Sequence, residues 1–439
     1  MMFKQITKTK NNEIVLRQQM QSMESATRTT SSALWCGLLL VVLAVAGCDG
    51  SAYFQFNHAY LDRQVIDINS GRPDDAQIEI SDEQEENVSE ILEAAFGTPD
   101  APKIPGVEGA AALLDQEFLD MAAGPVGRLE DGSPRGLYRQ HCAHCHGVTG
   151  DGMGPTSEFL KPYPRDYRKG VFKFKHTVLG AKPRKEDLRQ VLMEGIPGTA
   201  MPSFRVYDSQ ELDAIIDYVI YLAIRGDVER QLEATILQKT ADEGGNPLLA
   251  DTSADASAED REGLLDAKDI ITDVVASWTE ANDSLMPTTE PPANWQSDEN
   301  IARGREIFLG TGGCVACHGK TGLGDGNPDL FDTWTEELVG AKGQSTSARL
   351  EFYDEHFAGT GTLKPRNQRP RNLRLGSFRG GRRPIDIYSR ISQGIAGTEM
   401  PGGKAKGDDA WAVVAYVLSL SEEVISKPSN DLDFQRERN

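Results

Sequence analysis

Two short stretches hold most of the side chains in this chain that could do chemistry: Cys142-Ala143-His144-Cys145-His146 and Cys314-Val315-Ala316-Cys317-His318. Two thiols separated by two residues, with an imidazole directly after the second, have three obvious uses. They can close a disulfide, help to hold zinc, or add to the two vinyl groups of a porphyrin while the imidazole ligates its iron. A lone copy leaves all three open. Two copies with matching sequence around them favour the third, which makes His146 and His318 proximal ligands of two covalently attached haems. Of the six cysteines, these motifs use four; Cys36 and Cys48 lie in the N-terminal segment, so none is left to form a disulfide.

The matching sequence is an internal duplication. Gly150-Asp151-Gly152-Met153-Gly154-Pro155 is answered by Gly324-Asp325-Gly326-Asn327-Pro328, and Pro164-Arg165-Asp166-Tyr167-Arg168 by Pro370-Arg371-Asn372-Leu373-Arg374. The strongest correspondence sets Gly195-Ile196-Pro197-Gly198-Thr199-Ala200-Met201-Pro202 beside Gly394-Ile395-Ala396-Gly397-Thr398-Glu399-Met400-Pro401. Each half closes on an apolar helical run with aromatics, residues 212–224 and 410–420. In this order the motifs resemble the small α-helical cytochrome c domain, twice over. The resemblance implies a mainly α chain of two tandem all-α domains joined by a long acidic linker. The expected boundaries are 132–226 and 297–424 for the domains and 227–296 for the linker. In such domains the first and last helices cross closely, a role for Gly304 and Phe308 against Trp411 and Tyr416; in the first half Tyr138 and Tyr218 fit, but Pro134 falls where a small residue is expected.

The distal side of each iron calls for a soft donor, and a thioether suits it while raising the reduction potential relative to a second histidine. Met400 is the only methionine after His318, with His356 as the competing ligand. The first half offers Met153, Met193 and Met201; repeat alignment selects Met201, Met193 reads as core, and His176 competes. The other nitrogen of each proximal histidine needs an acceptor; the resemblance implies a backbone carbonyl after the motif, in the Pro155 and Pro328 regions. Arg165, Arg168, Arg371 and Arg374 recur in register, and an arginine pairs well with a carboxylate such as a haem propionate. The stretch between His318 and Met400 is the longer of the two, mainly through a polar, Gly-rich insertion at residues 331–370.

Net charge is −21, unevenly distributed. Residues 49–131 carry 19 acidic and 4 basic side chains and residues 227–300 carry 18 and 4, whereas the haem-motif stretches are neutral to mildly basic. The acidity therefore belongs to flanking segments, read as a spacer that wraps the first domain and as a tether kept extended by its charges. Within the tether, residues 264–278 have helical spacing. No basic stripe with interleaved aromatics points to nucleic acid.

Residues 1–32 are polar and net positive, and the apolar run at 33–47 is too short to span a bilayer but suits a signal peptide. It ends Val45-Ala46-Gly47-Cys48, which resembles a bacterial lipoprotein box and implies cleavage before Cys48 and lipidation of its thiol, with an acidic segment at 48–131 following. Residues 425–439 read as a disordered tail. The expected protein is an exported electron carrier on the periplasmic face of a membrane, exchanging electrons with a respiratory complex or dehydrogenase and a terminal oxidase or soluble cytochrome. No acid, base or nucleophile constellation marks an enzyme; the rivals are a dihaem peroxidase, which needs a displaceable distal ligand, and a haem subunit of a substrate-oxidising dehydrogenase.

Overall fold

A computed structural model describes residues 51–250, 262–331, 333–340 and 345–423. The expected signal peptide, Cys48 and the tail at 425–439 lie outside the described residues. In chain order the main helices begin with α1 (His58–Asn69), α2 (Asp82–Phe96) and α3 (Gln116–Ala122). The first attachment motif spans α4 (Leu137–His141) and α5 (Ala143–His146), followed by α6 (Lys185–Glu194), α7 (Ser209–Glu243) and α8 (Glu262–Thr279). The second half runs α9 (Asp298–Leu309), α10 (Val315–His318), α11 (Thr333–Val339), α12 (Thr346–His356), α13 (Pro384–Gln393) and α14 (Gly407–Ser419). Among the described residues, strands are confined to two antiparallel pairs, Gly97–Thr98 with Ala101–Pro102 and Gly127–Arg128 with Pro134–Arg135. The chain is mainly α.

Helix α7 is the axis of the first half. Asp208 and Glu211 form a capping box at its start, which satisfies backbone N–H groups that have no partner within the helix. Ile215, Ile216, Tyr218, Ile220, Tyr221 and Leu222 are all buried, so this stretch is covered on every side. The sequence pattern ends the helix near Ile224, but the structure carries it on to Glu243. Val228, Leu232 and Ile236 continue a stripe at four-residue spacing and are each no more than 2 % exposed. Helix α8 adds Ile271, Val274, Val275 and Trp278 to the same core, matching the expected helix at 264–278.

The described parts of the acidic linker are therefore packed helix and loop, where an extended tether was expected. Charge counting missed this because it does not register the apolar stripe, which α7 buries together with Glu229 and Glu233. The N-terminal acidic segment wraps the first domain, as anticipated. Val88, Ile91, Leu92 and Phe96 of α2 enter the core beside α7, and the Tyr221 hydroxyl donates to the Phe96 carbonyl at 2.6 Å. The awkward Pro134 is accommodated by the Pro134–Arg135 strand, after which Gly136, at φ 77°, starts α4 late. Helix α3, with Leu119 fully buried, packs on α7 instead.

In the second half the expected crossing is present. A Cβ on Gly304 would collide with the Ala412 carbonyl of α14, and Phe308 meets Tyr416 edge-on with ring centroids 5.3 Å apart. The insertion at 331–370 docks on the N-terminal segment as well as bonding to its own domain through Thr346, Asn367 and Gln368. Leu338 and Val339 of α11 and Tyr353 and Phe357 nearby bury against Ala59 of α1, and Glu337 pairs with Lys169 and Arg230 of the first half. Among the described residues no helix is long and apolar enough to cross a membrane.

Candidate haem-binding sites

The attachment helix α5 is a single turn stopped by Gly147 at φ 75°, where a side chain would run into the Asp151 carboxylate. Gly319 and Asp325 repeat the arrangement behind α10. In both halves the loop folds back on the motif: the Gly152 N–H donates to the His146 carbonyl at 2.9 Å, and that of Gly324 to His318 at 2.9 Å. The imidazole of His146 is buried and stacks on Tyr167 at 4.7 Å between centroids. Its Nδ1 lies 3.0 Å from the Arg165 carbonyl oxygen, and Nδ1 of His318 lies 3.3 Å from that of Arg371. Because a carbonyl can only accept, Nδ1 carries the proton, and each Nε2 keeps its lone pair for a metal.

The acceptors facing the two motif imidazoles are thus the carbonyls of the duplicated Pro-Arg motif, not groups in the Pro155 and Pro328 regions. A backbone acceptor leaves no mark in residue type, so only the fold identifies it. Burial lowers the His146 pKa to about 4, against the pull of the Arg165 carbonyl, and burial lowers His318 likewise. Both rings stay neutral at pH 7, as metal ligation requires.

Cys142, Cys145 and His146 line a cavity of about 520 Å³ whose lining also includes Met201 and the apolar side chains of Leu188, Leu192, Ile215 and Val219. Met153, Met193 and His176 are absent from that lining. The loop bearing Met201 is closed by three hydrogen bonds. Ile196 N–H donates to the Met201 carbonyl at 3.1 Å, the Thr199 hydroxyl to the Ile196 carbonyl at 2.8 Å, and Met201 N–H to Thr199 Oγ1 at 3.1 Å. Ile395, Thr398 and Met400 reproduce all three at 3.2, 2.8 and 3.2 Å. His356 lies on α12 against Phe352, with ring centroids 4.5 Å apart. His176 has both ring nitrogens engaged, by Asp187 and Asp386.

The residues present fit a porphyrin better than the alternatives. The four motif cysteines are free of disulfides. Burial pushes the Cys142 thiol up to about 12, which disfavours the thiolate that zinc binding or nucleophilic chemistry needs. Among the described residues no group of three or more His, Cys, Asp and Glu side chains could hold a metal by itself. The cavity falls within the roughly 300–1,000 Å³ usual for cofactor sites.

The four repeated arginines separate into two pairs. Arg165 lines the first cavity, and Arg371 donates from Nε to the Ser377 carbonyl at 2.8 Å with its guanidinium end beside Gly198. Arg168 and Arg374 are placed elsewhere, against the expectation that all four face propionates. Arg168 is 1 % exposed and forks onto Asp166 at 3.1 and 3.0 Å, with its stem against Gly226 of α7. Arg374 donates to the Thr321 carbonyl at 2.6 Å and to Glu423 at 2.9 Å. This pair ties the loop in each half to nearby backbone and to the closing helical region.

Comparison with known families now bears on both halves. The family model for cytochrome c oxidase, cbb3-type, subunit III, matches residues 130–219, and that for cytochrome c matches residues 301–421. The chain carries two cytochrome c-type domains. They imply two covalently bound c-type haems, and with them haem-based electron transfer. Among solved structures, a chain of the Kuenenia stuttgartiensis reducing HAO-like protein complex is similar at 21% identity and a TM-score of 0.42, over 67% of this chain and 98% of that one. That likeness is too loose to bear on function. A comparison with the curated proteins finds no match.

Proposed function

We propose that this protein is an exported electron carrier, held to a membrane by a lipid on Cys48, that passes electrons one at a time between respiratory-chain partners through two His/Met-ligated haems. The observation that carries the reading is a constellation built twice. In each half a Cys-x-x-Cys-His turn has its imidazole Nδ1 held by a backbone carbonyl, and a Met-Pro loop is closed by the same threonine hydrogen bonds.

The thioethers to the porphyrins would come from Cys142 and Cys145 in the first domain and from Cys314 and Cys317 in the second. His146 and His318 offer Nε2 to the irons, and Met201 and Met400 are the distal donors. When bound, each haem supplies a one-electron iron couple. The residues supply the rest: the carbonyls of Arg165 and Arg371 orient the imidazoles, and Leu188, Leu192, Ile215 and Val219 keep the first cavity apolar. His176 spans between α6 and α13, one helix from each domain, so the domains are held together rather than strung on a tether.

Mass analysis of the mature protein tests the proposal, with two haems expected on the four motif thiols and an acylated Cys48 at the new N-terminus. The oxidised protein should show methionine–iron charge-transfer absorption at two haems' intensity. Unmodified motif thiols would refute the reading, and rapid turnover of hydrogen peroxide at either iron would refute its carrier half.

A further inference from the structure

The first cavity is not walled by its own domain alone. Arg379 and Leu363, both from the second half, line it together with His146 and Met201. Arg379 Nη2 lies 3.5 Å from the Gly198 carbonyl, at the limit of a hydrogen bond, and its Nε is buried without any partner. A second guanidinium stands close by: a Cβ on Gly198 would sit 2.5 Å from Nη1 of Arg371. Burial, with the neighbouring Arg371, depresses the Arg379 pKa. Two half-buried cations near one another, one with an idle buried donor, are costly unless an anion lies between or beside them. The fork of an arginine matches a carboxylate in particular.

We propose that Arg379 is a carboxylate-binding residue for the first domain's haem, contributed by the second domain, with Arg371 beside it. The haem carries two propionates and no other anionic group, and the cavity that would hold it is the one Arg379 lines. The exchange has a counterpart in the other direction, since a Cβ on Gly397, in the Met400 loop, would stand 3.1 Å from Nη1 of Arg165. The cavity is thereby completed across the domain boundary. Arg379 was not singled out in the sequence because its repeat partner is Lys173 and no shared motif marks it. This inference rests on the two-haem reading above.

A potentiometric titration of the haem-loaded protein tests it, with the two midpoints assigned through Met201→His and Met400→His. A positive charge near a haem favours the reduced iron, so Arg379→Gln should lower the first haem's midpoint and leave the second's in place, although the substitution is in the second domain. Arg379→Lys, which keeps the charge but not the fork, should restore part of the shift and also guards against simple misfolding. A shift confined to the second haem, an equal shift in both, or none in either would overturn the assignment. If the unsubstituted protein binds no covalent haem, the carrier reading fails and this inference falls with it.

Discussion

Replacing His176 by Gln should remove a pH dependence of stability that the two domains share. The imidazole Nδ1 lies 2.7 Å from Asp187 of α6, and Nε2 lies 3.2 Å from Asp386 of α13. Both carboxylates are 1 % exposed at the side chain. Two ring nitrogens facing two carboxylates require the imidazolium, because a neutral ring has only one N–H. These bonds outweigh burial and raise the His176 pKa to about 9. Asp386 is pulled the other way: burial would raise it, but His176 and Arg383 bring it to about 2.

A rise from 6.5 to about 9 corresponds to roughly 3 kcal/mol at about 1.4 kcal/mol per unit, an upper bound for a partly exposed ring. The sign follows from the direction of the shift. A raised folded-state pKa stabilises fully below the unfolded value of 6.5, and the gain is lost as pH climbs to about 9. The other charged groups around the ring are Lys173, Lys175, Glu194 and Arg390, with Arg184 and Arg383 bonded to the two aspartates. Lys175, brought down to about 8 mainly by burial, loses charge within the same window and so must be held constant by comparing variants, not pH values alone. Denaturant unfolding of the haem-loaded protein at pH 6 and at pH 9.5, in parent and His176→Gln, isolates the term. The parent should lose up to about 3 kcal/mol more than the variant over that interval. An equally steep loss in the variant would refute the imidazolium bridge.

Other predictions are simpler to state. Met400→His should lower the midpoint of the second haem and leave the first nearly fixed, as read by redox titration, because the two Met loops are closed by separate hydrogen bonds. Gly304→Ala should destabilise the second domain by about 1–3 kcal/mol, since its Cβ would overlap the Ala412 carbonyl where α9 crosses α14, and thermal unfolding should show the loss.

The parts of the sites legible in the sequence are those that depend on residue type at fixed spacing. Cys-x-x-Cys-His, the Thr-x-Met-Pro loop and the closing aromatic helix each need particular side chains, and the matching second copy is what favours a porphyrin over a disulfide or zinc. What could not be read involved backbone groups or distant partners. The proximal acceptors are carbonyls, which every residue owns, so Arg165 and Arg371 drew notice for their guanidinium groups while their C=O groups hold the imidazoles. Arg168 shows the limit of repeat position as a signal: its guanidinium forks onto Asp166, two residues earlier.

Composition misled most where charge was averaged over a segment. Between 227 and 296 the acidic count suggested extension, yet Val228, Leu232 and Ile236 recur every four residues and bury one face of α7, taking Glu229 and Glu233 in with them, the former paired with Arg225. Periodicity should outweigh net charge here, because repulsion between exposed carboxylates is screened by salt within about 10 Å, whereas each buried aliphatic side chain contributes roughly 1.5–3 kcal/mol irrespective of salt. The same reasoning accounts for the insertion at 331–370. Its polar, Gly-rich composition hid Leu338, Val339, Tyr353 and Phe357, four buried residues enough to dock it on α1. Docked there, it brings Leu363 to the wall of the first cavity, so a segment of the second domain shapes the site of the first.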